Sequence, residues 1–129
     1  MNAAHRSYEV DGQIVAALKG ADVVIEHSES VAVLGPSGCG KTTLLNCLSG
    51  IDRLNEGEVL FEGRSMLQMN DVERTNLRAS AMGFIFQSFN LVEVLSAVEN
   101  VVIPMLLNGK SKSESRQAAI DVLEQVGLG

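Results

Sequence analysis

The sequence predicts an α/β fold in which a buried strand runs into a helix through a glycine-rich loop. Two observations carry that prediction. Ser30-Val31-Ala32-Val33-Leu34 is a short apolar run rich in β-branched residues, the composition of a strand buried on both faces. Further on, Leu44, Leu45 and Leu48 recur at helical spacing, and Gly50 stands where a glycine commonly ends a helix. Between the two lies Gly35-Pro36-Ser37-Gly38-Cys39-Gly40-Lys41-Thr42, which fits the pattern G-x-x-x-x-G-K-[ST].

The residue types of that loop suit phosphate. Glycines at 35, 38 and 40 admit backbone conformations closed to residues with a Cβ, so consecutive N–H groups can turn inward onto phosphate oxygens. Lys41 adds a compact positive charge for the β- and γ-phosphates, and the Thr42 hydroxyl is a ligand for Mg²⁺. The positive end of the following helix points the same way. A glycine-rich turn with a solvated lysine is the alternative, but such a turn needs neither the strand before it nor the helix after it.

A chain of 129 residues is one ordinary domain or part of a larger one. Its 46% hydrophobic and 20% charged content describes a folded protein rather than a disordered one. The net charge of −6 argues against a nucleic-acid surface, which needs a basic face. The apolar run Val101–Leu107 is too short to span a bilayer and contains Pro104. The polar N-terminus carries no signal-peptide core, so a cytosolic setting with Cys39 and Cys47 reduced is expected.

The other elements follow in chain order. Residues 8 to 26 read as β-structure: Tyr8 leads into a hairpin turn at Asp11-Gly12, and Val23-Val24-Ile25 follows as a strand. Glu58 to Glu62, bounded by Gly57 and Gly63, is a further short strand. Asn70 with Glu73 forms a helix-capping pair for a helix to about Arg78, and Met82–Phe86 is a second fully apolar strand ending at Gln87. Ser96 with Glu99 caps a helix that Pro104 must kink or end. Ser111 with Glu114 caps the last helix, with Ala118, Ala119, Val122, Leu123 and Val126 on one face and Gly127 closing it. His5 and His27 have no partner at metal-ligand spacing, and Glu56, Glu58 and Glu62 read as solvated.

Taken together, Tyr8, Ala17-Leu18-Lys19-Gly20, Gly35–Thr42, Asn55-Glu56-Gly57-Glu58-Val59, Gly83-Phe84-Ile85-Phe86-Gln87, Asn90-Leu91 and Glu99-Asn100-Val101 resemble the nucleotide-binding subunits of ATP-binding-cassette (ABC) transporters. Within that family they look most like the branch of lipoprotein-releasing and macrolide-export ATPases. The resemblance implies a partial P-loop NTPase core with an N-terminal antiparallel β subdomain and phosphate loop over 1–87, and the start of a helical subdomain over 88–129. It implies ATP and Mg²⁺ as ligands, held through Gly35, Pro36, Ser37, Gly38, Cys39, Gly40, Lys41, Thr42 and Thr43. Tyr8 matches the aromatic residue that stacks on adenine, a reading preferred to its alternative, a half-buried strand tyrosine. Gln87 matches the glutamine that reaches Mg²⁺ and the attacking water, which with Lys41 makes up the catalytic set. A solvated strand-end residue is its alternative. The implied partners are a membrane-embedded permease, faced by residues 88–95 unless Phe89, Leu91 and Val92 are ordinary core, and a second nucleotide-binding subunit across the ATP. The implied location is the cytoplasmic face of the cell membrane.

Departures from the family pattern also carry expectations. Ser28 stands where the family usually has glycine before Glu29, which strains the turn. No Leu-Ser-Gly-Gly-Gln signature occurs, since Leu48-Ser49-Gly50 continues into Ile51-Asp52, and no apolar run ends in Asp-Glu. The chain therefore reads as the N-terminal portion of such a subunit, expected to bind nucleotide weakly, hydrolyse almost none and expose apolar surface. A nucleotide kinase of guanylate-kinase type shares Gly-Pro-Ser-Gly, but the region after its loop helix should be basic, and here it is acidic and strand-like. A non-catalytic nucleotide-binding or interaction module is the third reading.

Overall fold

The computed structural model describes residues 1–129 and divides into two compact bodies, Met1–Gly83 and Phe84–Gly129. In the first, β1 (Asn2–Val10) and β2 (Gln13–Ala21) form an antiparallel hairpin in which Tyr8 faces Val15. Its two-residue turn, Asp11-Gly12, takes positive φ at both positions (51° and 74°), the geometry whose twist matches the flanking strands. β3 (Glu56–Glu58) joins the other edge of β1, giving the sheet order β2-β1-β3. A second hairpin follows from β4 (Leu60–Phe61) to β5 (Arg64–Ser65).

Helix α1 (Lys41–Leu48) starts directly from the glycine-rich loop. It ends as its sequence predicts: Gly50 adopts φ +67° and donates its N–H to the Cys47 carbonyl at 3.1 Å. Helix α2 (Asp71–Ala81) opens on a reciprocal cap in which Asn70 accepts from the Glu73 N–H and the Glu73 carboxylate accepts from the Asn70 N–H. It runs three residues beyond the expected Arg78.

The core of this body gathers Met1, Ala4, Leu18, Cys47, Val59, Met66 and Met69. The inward face of β1 therefore grades from fully buried Ala4 to half-buried Arg6 and Tyr8. Cys47 of α1 is 1% exposed, so the helix that begins at the loop is anchored in the core by its second turn.

Three expected strands do not form ladders. Val23-Val24-Ile25, Ser30–Leu34 and Met82–Phe86 belong to neither sheet. Val23 alone pairs, exchanging backbone hydrogen bonds with Met1 (2.9 and 3.0 Å). The reason is that apolar, β-branched composition reports a preference for burial, whereas a strand also requires a hydrogen-bonded neighbour. Neither longer run finds one, and Leu34 and Ile85 lie open at 88% and 104% exposure. The expected strand Glu58–Glu62 is likewise split at Val59 between β3 and β4.

The second body begins with Phe84 and Phe86, whose rings stack at 5.9 Å between centroids. Helices α3 (Ala97–Leu107) and α4 (Lys112–Gln125) pack on each other, each opened by the capping pair that its sequence predicts. Pro104 lies inside α3 without ending it there. It withholds one N–H from the ladder, but the last turn still closes through Asn108 N–H to the Pro104 carbonyl at 3.2 Å. On α4 the buried row is Ser115, Ala119 and Leu123, while the expected Val122 and Val126 are exposed. Gly127, at φ +77°, closes α4. No helix is long and apolar enough to cross a membrane.

Candidate functional site

The loop from Gly35 to Gly40 makes a turn at Ser37-Gly38 and a bend at Cys39-Gly40 before the chain enters α1. Gly40 is the N-cap of that helix at φ +94°, ψ 6°, and no side chain caps the helix end. The first amides of α1 therefore lack an intrahelical acceptor and point out of the helix with its positive dipole end. A Cβ on Gly40 would stand 2.6 Å from the Ala17 carbonyl oxygen, so here the loop passes directly over β2. Gly38, at φ +78°, has open space where its Cβ would be.

Lys41 turns back across the loop. Its Nζ donates to the carbonyl oxygens of Gly35 (2.9 Å) and Pro36 (2.7 Å) and lies 3.7 Å from Cys39 Sγ. Thr42 is exposed and Thr43 half-buried on the first turn of α1. A recess of about 290 Å³ opens beside the loop, lined by Leu18, Val33, Leu34, Gly40, Lys41 and Leu44 among others. Uncapped amides, an ammonium folded onto the same loop and a backbone without obstructing Cβ atoms suit a polyphosphate, and the exposed Thr42 hydroxyl suits a hard cation beside it. Between the two cysteines the environments diverge. Cys39 is exposed on the loop, whereas Cys47 is buried and burial pushes its thiol pKa up.

Tyr8 belongs to the same body as the loop and sits in a knot of side chains. Its hydroxyl donates to Asp52 Oδ2 at 2.5 Å, and the Arg6 guanidinium lies over one ring face, 4.5 Å from the centroid. Arg6 in turn pairs with Asp52 at 2.8 Å. Neither partner belongs to a sequence motif. Arg6 was detectable as the residue two before Tyr8 on a strand, hence on the same face. Asp52, 44 positions away, gave no local signal. Gln87 is exposed in a bend of the second body.

The family profile described as ABC transporter matches residues 18–129. An uncharacterized ABC transporter ATP-binding protein of Methanocaldococcus jannaschii is 48% identical over 113 residues, covering 88% of this chain and 50% of the relative. The lipoprotein-releasing system ATP-binding protein LolD of Bdellovibrio bacteriovorus is 40% identical over 124 residues, covering 96% of this chain and 56% of the relative. Among solved structures, the ATP-binding cassette MJ0796, in a dimeric post-hydrolysis state bound to ADP and Pi, superimposes with a TM-score of 0.85 at 35% identity. That match covers 95% of this chain and 54% of the other. The chain thus spans about half the length of the relatives it matches. It has the α/β, P-loop architecture of an ATP-binding cassette, and neither the profile nor the relatives support a nucleotide kinase. The chain belongs to the ABC transporter family.

Proposed function

We propose that this chain is the part of an ABC transporter's ATP-binding subunit that grips MgATP by its phosphates. The observation that carries the reading is the uncapped start of α1, presented by glycines that leave the amides accessible, with Lys41 within reach of the same loop. Main-chain N–H groups of residues 37–43 would hold the β-phosphate, Lys41 would exchange its two carbonyl partners for β- and γ-phosphate oxygens, and the Thr42 hydroxyl would ligate Mg²⁺. Mg²⁺, when bound, would neutralise charge on the phosphates. By the family resemblance of Gly83–Gln87 alone, Gln87 would offer an amide oxygen to Mg²⁺ and orient water. Tyr8 stacks on adenine.

In the whole protein, ATP binding and hydrolysis would drive a membrane-embedded permease, with a second nucleotide-binding subunit closing over the nucleotide. MJ0796, which is dimeric and was captured with ADP and Pi, supports that reading. The subunit would sit at the cytoplasmic face of the membrane. Titration calorimetry of the chain with MgATP tests the proposal. Saturable binding is expected, weakened by roughly 10- to 100-fold in Lys41→Ala, since a charge-assisted hydrogen bond contributes about 1.5–3 kcal/mol. Absence of saturable binding, or a Lys41→Ala variant that binds as well, would overturn it.

A further inference from the structure

We propose that Arg6 and Asp52 are positioning residues for Tyr8, clamping its ring so that a single face is presented to the base of a bound nucleotide. The proposal rests on the reading of Tyr8 as the adenine-stacking residue and extends it to two residues that touch no ligand themselves.

The three side chains close a ring of contacts. Tyr8 donates to one carboxylate oxygen of Asp52, Arg6 pairs with the other, and the Arg6 guanidinium covers the Tyr8 ring. The hydroxyl tether fixes where the phenol end lies, and the guanidinium fixes the tilt. An aromatic ring held at both points has lost its rotational freedom before a ligand arrives, so stacking need not order it. The cation also draws π density towards the covered face, which lowers the repulsion a stacked purine meets on the other.

A second observation separates this cluster from an ordinary surface ion pair. The Arg6 Nε–H is buried and has no hydrogen-bond acceptor. An unpaired buried donor is unfavourable, and a guanidinium free to choose its pose would satisfy it. Here the pose that covers Tyr8 prevails instead.

Asp52 is itself fixed relative to the phosphate loop. Its N–H donates to the Asn46 carbonyl at 3.0 Å, at the end of the helix that begins with Lys41. Eight residues of α-helix span about 12 Å, the scale of an extended nucleoside triphosphate. Helix α1 thus ties the backbone that carries Asp52 to the loop that precedes Lys41.

The test measures binding of MgATP and of magnesium tripolyphosphate, which has no base, to the chain and to four variants: Asp52→Asn, Arg6→Lys, Tyr8→Ala and the double variant Tyr8→Ala/Asp52→Asn. Circular dichroism checks that each folds. Asp52→Asn, which keeps the size but not the charge, and Arg6→Lys, which keeps the charge but not the planar fork, are expected to weaken MgATP by roughly 3- to 10-fold and leave tripolyphosphate within about twofold. In the Tyr8→Ala background, Asp52→Asn should change MgATP affinity by less than about twofold, because the ring it positions is gone. Equal weakening for both ligands, or a full Asp52→Asn effect without the ring, overturns the positioning role. A Tyr8→Ala variant that binds MgATP as tightly as the parent overturns the stacking reading instead.

Discussion

Replacing Gly40 by alanine should cripple the loop through its backbone, and Gly38→Ala supplies the control. Both glycines adopt left-handed φ, +94° and +78°, so alanine at either costs about 1–2 kcal/mol in conformational strain. Only at Gly40 does the new methyl meet fixed backbone, the Ala17 carbonyl oxygen at 2.6 Å, whereas Gly38 has nothing within 4 Å. Backbone cannot swing aside as a side chain can, and overpacking of this kind costs roughly 1–3 kcal/mol more. The variants should therefore differ in unfolding free energy by about that increment. With a urea dependence of about 1–2 kcal/mol per molar, the midpoint of Gly40→Ala falls below that of Gly38→Ala by on the order of 1 M. The chain has no tryptophan, so far-UV circular dichroism is the suitable signal. Hydrogen exchange localises the effect, since the damage should fall on residues 13–21 of β2. Identical midpoints, or unchanged protection of β2 in Gly40→Ala, would refute the claim that loop and strand are in rigid contact here.

Further expectations follow from other sites. Maleimide labelling followed by mass spectrometry should modify exposed Cys39 and spare Cys47, which is buried with its thiol pKa pushed up, and MgATP should protect Cys39. Equal labelling with and without MgATP would contradict the loop's role. Hydrogen bonds from the Ser96 hydroxyl and N–H hold the Glu99 carboxyl below its ordinary pKa. Its support of α3 is thus complete above the unfolded carboxyl value and disappears as pH falls through the lowered folded one. Glu99→Gln, which accepts the same bonds without titrating, should flatten the acid side of the helicity profile, and an unchanged profile would count against this. Ser28→Gly should stabilise the first body by about 1 kcal/mol in urea titration, because Ser28 holds φ +62° in the Glu26–Glu29 turn. A destabilised variant would show that the serine has a compensating contact.

Local chemistry was legible in the sequence and long-range pairing was not. The three capping pairs at Asn70, Ser96 and Ser111 form as read, because each is settled within four residues. The hairpin at Asp11-Gly12 and the glycine stops at 50 and 127 follow for the same reason. The strained turn at Ser28 was visible too, since only a residue without Cβ adopts positive φ freely. The runs Ser30–Leu34 and Met82–Phe86 failed as strands because pairing is decided by a neighbour elsewhere in the fold, about which the run itself holds no information. At the candidate site, the loop declared itself by spacing. The Asp52 tether on Tyr8 did not, because tertiary contact alone creates it.

The folded-back ammonium of Lys41 has a thermodynamic corollary. Because its charge is already engaged by two carbonyl groups, an arriving anion trades one set of partners for another rather than filling bare valences. The heat released on association should be smaller than the tally of new contacts suggests. The two abandoned carbonyls must then find water, which places part of the driving force in the solvent.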